Sequence, residues 1–255
     1  MKVVILAGGL GTRLKEETEN IPKPMIPIGG KPILWHIMKN YAHFDYKEFI
    51  ICAGYKNEVI KSYFKNFEIL NSDFTVTLGD TNSLKIHEKI EESGWLVTVL
   101  STGLETMTGG RIYRARDYIG KETFFCTYGD GLSNVNIPSL LEFHKNHGKI
   151  ATVTAVNPIS RFGVLDLSSD GTVKKFREKP QSDSWINSGF FVFEPQIFDY
   201  LDQDSTLEKE PMINLAKQGQ LVAYKHSGFW QAMDTYRDLT ILNKLWSEGN
   251  NLWKA

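Results

Sequence analysis

The chain has 255 residues, 42% of them apolar, which is enough to bury a full core as one large domain or as a core with a sub-domain. A formal net charge of −1 excludes the broad cationic face on which nucleic-acid binding relies. The apolar run after Met1-Lys2 stops at Gly8, short of the ~7–15 residues of a signal-peptide core, and no stretch approaches the ~18 apolar residues of a membrane span. Neither nucleic acid nor a membrane is therefore expected as a partner. Cys52 and Cys126 each lie in an apolar, strand-like stretch, which predicts reduced, buried thiols and a cytoplasmic setting.

In chain order, residues 3–7 read as a strand, 32–43 as a helix, 49–53 as a strand and 57–67 as a helix, a βαβ alternation that implies a parallel sheet. Residues 74–78 and 84–90 read as an antiparallel insertion, and 95–100 as a further strand. Gly109-Gly110 opens a helix through Tyr118, and 123–127 is a buried strand running into Tyr128-Gly129-Asp130-Gly131. A helix from Pro138, well placed as a first helical residue, continues to His147. The second half is more mixed, with strands at 150–156, 163–167, 172–176 and 187–193, a hairpin at Ser169-Asp170-Gly171, helices at 195–201 and 211–217, a strand at 221–225 and a closing helix at 236–246. With no repeat or linker in view, one compact domain is expected, with a nucleotide half over about 1–150 and a second-substrate half over about 151–255.

The first strand runs directly into Gly8-Gly9-Leu10-Gly11-Thr12-Arg13, and Lys23 follows between two prolines. Glycines let consecutive backbone N–H groups turn toward one anion, and Arg13 and Lys23 add full positive charge beside them. A dinucleotide fingerprint fails here, because Leu14 stands where its third glycine would, and Gly29-Gly30 stand where an acid for the ribose is needed. A Walker A loop fails as well, since Pro32 after Gly30-Lys31 offers no hydroxyl for a metal. A plain flexible turn would require neither the glycines nor the cations.

Ligands of parallel α/β sheets lie at the carboxyl ends of the strands, so Gly8–Arg13 and Gly129-Asp130 should open onto one crevice. Asp130, between two glycines, offers a hard oxygen ligand suited to Mg²⁺. Asp234 is either a second such carboxylate or an ordinary cap of the helix that follows. Glu178-Lys179-Pro180 and Asn187-Ser188-Gly189 could grip a phosphate and sugar hydroxyls, or be solvated loops. Gly109-Gly110-Arg111, at a helix start, is another candidate anion site. His144 and His147 lack a third ligand at metal spacing and read as surface histidines, while Trp35, His36 and Met38 read as core. No Ser, Cys and His arrangement announces a covalent nucleophile.

Together, Leu6-Ala7-Gly8-Gly9-Leu10-Gly11-Thr12-Arg13-Leu14, Pro22-Lys23-Pro24-Met25, Tyr128-Gly129-Asp130-Gly131, Glu178-Lys179-Pro180 and Asn187-Ser188-Gly189 resemble the sugar-1-phosphate nucleotidylyltransferases over nearly the whole chain. Residues 29–39, Met107-Thr108-Gly109-Gly110-Arg111 and Gly228-Phe229-Trp230-Gln231 resemble the cytidylyltransferases among them. The resemblance implies an α/β, Rossmann-like fold of GT-A type, with a mixed, mostly parallel central sheet flanked by helices and carrying antiparallel insertions. It implies CTP and α-D-glucose 1-phosphate as substrates, Mg²⁺ as cofactor, and a homo-oligomer such as paired trimers. Carried over residue by residue, it assigns Leu6, Ala7, Gly8, Gly9, Leu10, Gly11, Thr12, Arg13, Lys23, Thr106, Arg111 and Gly129 to the nucleotide, with Arg13 and Lys23 catalytic. Asp130 and Asp234 become metal ligands, and Gly163, Glu178, Lys179 and Asn187 face the sugar phosphate. Glu105 departs from the small polar residues that such enzymes tend to carry there.

That reaction explains the missing nucleophile and base. A sugar phosphate has a second pKa of ~6, so its oxygen is already a dianionic nucleophile near neutral pH. Within the class, transfer from UTP or dTTP is the rival reading. Outside it stand a glycosyltransferase, whose usual Asp-x-Asp motif is missing from Asp130-Gly131-Leu132, and a silent regulatory subunit, against which Arg13, Lys23, Asp130 and Asp234 argue together.

Overall fold

The computed structural model describes residues 1–80, 83–87, 90–160 and 162–253. Its central sheet is built from β1 (Lys2–Ala7), β2 (Glu48–Ala53), β3 (Leu96–Ser101), β4 (Phe124–Tyr128), β6 (Ala151–Val156), β9 (Ile186–Phe193) and β10 (Leu221–His226). The spatial order is β10-β6-β9-β4-β1-β2-β3. Every neighbouring pair is parallel except those made by β9, which runs against β4 and β6. The expected mixed, mostly parallel sheet is therefore present.

Alternation along β1 explains why the sheet is covered on both faces. Val3, Ile5 and Ala7 pack into one apolar cluster, with Ile33, Leu34, Ile37 and Tyr41 of α1 (Ile33–His43) and Ile137 and Leu140 of α4 (Ile137–His147). Val4 and Leu6 face the other cluster, with Ile112 of α3 (Thr108–Arg114), Ile197 and Leu215. Side chains of a strand alternate across the sheet, so one short run anchors both layers. The helix α4 starts where the Asn136 side chain accepts from Ser139 N–H and ends at Gly148, left-handed at φ 62°. Between β2 and β3 lies α2 (Asn57–Lys65).

Several boundaries differ from the sequence reading. The insertion after residue 73 forms only a two-residue ladder, Phe74 and Thr75 against Ile86 and Lys85, and residues 88 and 89 of the expected second strand lie outside the described residues. The helix expected over 109–118 breaks at Ala115, whose N–H is shared by the Arg111 and Ile112 carbonyls. Pro195–Tyr200 is a 3₁₀ turn rather than an α-helix. The hairpin of β7 (Val164–Leu167) and β8 (Val173–Arg177) stands out from the main sheet with a mostly exposed surface.

His144 is buried rather than superficial, with Nδ1 at 2.7 Å from Thr152 Oγ1 and Nε2 at 3.0 Å from Glu194. Burial outweighs the Glu194 carboxylate and lowers its pKa. Cys52 and Cys126 are free, buried thiols, as expected. Among the described residues no helix is long and apolar enough to cross a membrane.

Two three-residue strands without any period of their own prove decisive for the site. The chain leaves β4 through Gly129-Asp130 into β5 (Gly131–Ser133), which pairs antiparallel with β11 (Trp230–Ala232), Gly131 opposite Ala232. Met233 N–H then donates to the Asp130 carbonyl at 2.8 Å. Asn40 of α1 braces this ladder through a 3.0 Å bond to the Ser133 carbonyl.

Candidate active site

At the carboxyl ends of β1 and β4, four charged side chains from distant parts of the chain converge. Lys23 Nζ lies 2.6 Å from Asp130 Oδ2 and 2.7 Å from Asp234 Oδ1, while Arg13 Nη1 lies 3.0 Å from Asp234 Oδ2. Lys23 is the most enclosed of them; Arg13 is largely in solvent, at 71% side-chain exposure. The sequence reading placed only Gly8–Arg13 and Gly129-Asp130 on one crevice; the structure brings Lys23 and Asp234 to the same place.

Local features explain the convergence. Pro22 and Pro24 confine Lys23 to a 3₁₀ turn, Lys23–Met25, so the lysine enters from a stiff segment. Gly129 donates its N–H to Leu6 O at 3.0 Å, and a Cβ there would stand 2.9 Å from that oxygen and 3.2 Å from Pro24. Only glycine lets β4 cross so close to β1 and the Lys23 turn. Asp234 is not the cap of the helix that follows: Thr235 is the N-cap of α5 (Tyr236–Ser247), in a capping box with Asp238, and the Asp234 carboxylate faces Lys23 and Arg13.

Two carboxylates meeting at one cationic point suit a divalent ion that takes its other ligands from phosphate oxygens and water. Among the described residues no group of three or more His, Cys, Asp or Glu could hold a metal without such help. The donor set fits a divalent cation delivered with a polyphosphate better than a closed structural metal site.

The glycine turn does more than make room for an anion. Gly11 adopts φ +65°, and a Cβ on it would meet Thr18 Cγ2 at 2.7 Å. A Cβ on Gly8 would strike the Arg111 guanidinium at 2.1 Å. Arg111, 4% exposed, donates through Nη2 to the carbonyls of Gly8 at 2.9 Å and Leu104 at 3.2 Å, and through Nη1 to Thr102 Oγ1 at 2.7 Å and the Gly103 carbonyl at 2.8 Å. Burial lowers its pKa from the ordinary arginine value.

At the start of α3, the candidate anion site, Gly110 N–H is taken by the Ser205 carbonyl at 2.8 Å, a Cβ on Gly110 would lie 2.2 Å from the Gln203 carbonyl, and Arg111 clasps the neighbouring loops. Thr106 folds over Gly103, where a Cβ would meet its Oγ1 at 2.5 Å, close to the loop Arg111 holds. Leu10 and Gly9 are exposed at the mouth of the turn.

The sugar-phosphate candidates fall into two groups. Gly163, Glu178 and Lys179 sit together at the base of the β7–β8 hairpin, Lys179 Nζ 3.2 Å from Glu178 Oε1, with room at Gly163 for no more than a hydrogen beside Phe176 and Glu178. Asn187 instead reaches the end of β4, donating through Nδ2 to Tyr128 Oη at 3.2 Å. Tyr128 in turn donates to Glu208 at 2.5 Å. Sequence reasoning missed Glu208 altogether, since the residues around it carry no motif and its neighbours come only from the fold.

This combination of sheet, glycine turn and lysine-bridged carboxylates is a phosphate-handling transferase site on a nucleotide-type fold, and residues 2–252 match the Nucleotidyl transferase family, to which the chain belongs. It is 52% identical over 258 residues to a glucose-1-phosphate cytidylyltransferase of Salmonella typhi, covering 100% of this chain and 99% of the relative. It is 49% identical over 257 residues to a probable glucose-1-phosphate cytidylyltransferase of Bacillus subtilis (strain 168), covering 100% of both. Among solved structures, HddC from Yersinia pseudotuberculosis superposes with a TM-score of 0.68 at 26% identity, covering 96% of this chain and 99% of that one.

Proposed function

We propose that the protein transfers a cytidylyl group from CTP to α-D-glucose 1-phosphate, giving CDP-glucose and pyrophosphate. The observation that carries this reading is the Lys23, Asp130, Asp234 and Arg13 cluster beside the glycine turn. Half-identity over the full length to relatives named for that reaction supports this choice of substrates.

The sugar phosphate attacks the α-phosphorus with its own dianionic oxygen, and the bond from that phosphorus to the β-phosphate oxygen breaks, so pyrophosphate leaves with the electron pair. No general base is needed. What remains for the chain is to hold two polyanions in line, an alignment worth ~7–11 kcal/mol of the barrier. Residues 6–12, Thr106 and Gly129 border the nucleotide, and Arg111 serves it through the loop it clasps. Lys23 and Arg13 set positive charge against the triphosphate as negative charge shifts to the leaving group. Asp130 and Asp234 would hold Mg²⁺, which supplies Lewis-acid neutralisation of phosphate charge. Gly163, Glu178, Lys179 and Asn187 border the sugar phosphate, so the part up to about residue 150 serves the nucleotide and the remainder the sugar. A cytoplasmic homo-oligomer completes the reading.

The test is a pyrophosphate-release assay over the four ribonucleoside triphosphates and dTTP against several hexose 1-phosphates. The greatest kcat/KM should fall at CTP with glucose 1-phosphate and vanish on chelating the metal. A maximum at UTP or dTTP would replace the nucleotide, and no release at all would refute the reaction.

A further inference from the structure

We propose that Glu208 is a positioning residue that fixes the hydrogen-bond polarity of Asn187 through Tyr128, and so sets the affinity for the sugar phosphate. The inference rests on the function proposed above and deepens it. Its basis is a directional chain. An ionised carboxylate can only accept, so Tyr128 must spend its single proton on Glu208 Oε1, at 2.5 Å. The phenol oxygen is then left to accept, and Asn187 Nδ2 donates to it at 3.2 Å.

The other end of the amide is locked independently, because Gly189 N–H donates to Asn187 Oδ1 at 2.8 Å. Both ends of the amide thus agree on one orientation, and Asn187 is exposed, so its second Nδ2 hydrogen is offered to an acceptor oxygen of a sugar phosphate. Burial, reinforced by Glu208, raises the Tyr128 pKa above the usual phenol range, so the phenol keeps its proton.

Three further observations show that this arrangement is built in. A Cβ on Gly189, at φ +85°, would lie 2.3 Å from Tyr128 Cδ2, so glycine is what admits the ring. The ring stands edge-on to Phe191, centroids 5.6 Å apart. Glu208 Oε2 accepts from Thr108 Oγ1 at 2.6 Å, and Thr108 Oγ1 accepts from Leu207 N–H at 3.0 Å, so the carboxylate is held from its far side by the first residue of α3. That helix carries Arg111, and through it the Gly8 carbonyl. The sugar side and the nucleotide turn are therefore joined through groups that need not touch either substrate.

The test compares steady-state kinetics and calorimetric titration of glucose 1-phosphate for wild type, Glu208→Ala, Glu208→Gln and Tyr128→Phe. In Glu208→Ala, KM for glucose 1-phosphate should rise at least about 10-fold with KM for CTP within about 2-fold, since one lost hydrogen-bond constraint of ~1.4 kcal/mol is a factor of ten. Gln keeps a carbonyl to accept from Tyr128, while its N–H donates to Thr108 Oγ1 in place of the bond Thr108 now gives, so Glu208→Gln should recover most of the affinity. Tyr128→Phe should match Glu208→Ala, and the double variant should be no worse than either alone.

Equal rises in both KM values, a fall in kcat alone, failure of Gln to recover affinity, or additive effects would each overturn the inference. Should Glu208→Ala not fold, Tyr128→Phe, which removes one oxygen, makes the same prediction. Absence of turnover in wild type would instead count against the proposed reaction, and the titrations alone would then decide the role of Glu208.

Discussion

The guanidinium of Arg111 occupies the space that a Cβ on Gly8 would need, 2.1 Å from Cζ. The two residues are 103 apart in sequence and joined at 2.9 Å. Gly8→Ala must therefore push the buried guanidinium off the carbonyls that accept its hydrogen bonds. Leaving a buried polar group unsatisfied costs about 1–3 kcal/mol, and more for a charged one. The expected result is a urea midpoint well below wild type together with loss of nucleotide binding. Gly9→Ala, where a Cβ meets nothing within 4 Å, should leave stability near wild type. Equal midpoints for the two variants would show that the clasp contributes nothing.

Acid stability should depend on His36. Its Nε2 lies 2.9 Å from the Ile28 carbonyl, which only accepts, and its Nδ1 faces the Trp253 indole N–H at 3.3 Å, which only donates. The ring is thus bound as the neutral tautomer, and burial lowers its pKa from 6.5 to about 4. The unfolded chain binds this proton first. Its contribution to stability is complete above pH 6.5 and is lost as pH falls through the folded value, at a rate approaching 1.4 kcal/mol per unit within that window. Denaturant midpoints measured from pH 7 to 4.5 should fall, and His36→Gln should flatten the slope. Some slope should persist, because burial also lowers the pKa values of His144 and His226.

What could be read from sequence was whatever the chain announces locally. Lys23 between prolines and Asp130 between glycines carry their geometry in their immediate neighbours, and the long alternations predicted most of the sheet. Asp234 was undecidable because an aspartate before a helix is as good a cap as a ligand; in the fold Thr235 takes the cap and the Asp234 carboxylate faces Lys23 and Arg13. The strands Gly131–Ser133 and Trp230–Ala232 are too short to show a period, although they bring the two carboxylates together. The clasp that Arg111 makes could not be read from sequence, because the carbonyls it satisfies come from loops meeting only in the fold. Glu208 and Tyr128 were out of reach for the same reason.

The cysteines offer a check on the core. Cys52 and Cys126 lie on β2 and β4, the strands on either side of β1, and are fully buried. Burial pushes the Cys52 thiol up to about 12 and Cys126 well above its ordinary value. Since the thiolate is the reactive form, a thiol reagent at pH 8 should label neither in the native protein and both in urea. Labelling at a rate independent of denaturant would place a thiol at the surface.

Lys23 and Arg13 should separate charge from fold. Removing Arg13, largely solvent-exposed, should leave stability within about 0.5 kcal/mol of wild type while turnover falls roughly 10²–10³-fold, as loss of one charged donor does. Lys23→Ala should cost similar turnover but behave differently without substrate. Its amine is shared by Asp130 at 2.6 Å and Asp234 at 2.7 Å, and without it the two carboxylates lose the cation they share. Like charges at short range repel, so the variant should be less stable than Arg13→Ala in metal-free buffer. A divalent ion can replace the missing charge, so added Mg²⁺ should raise the melting temperature of Lys23→Ala more than that of wild type. Equal metal responses in the two proteins would mean that the carboxylate pair does not receive the ion.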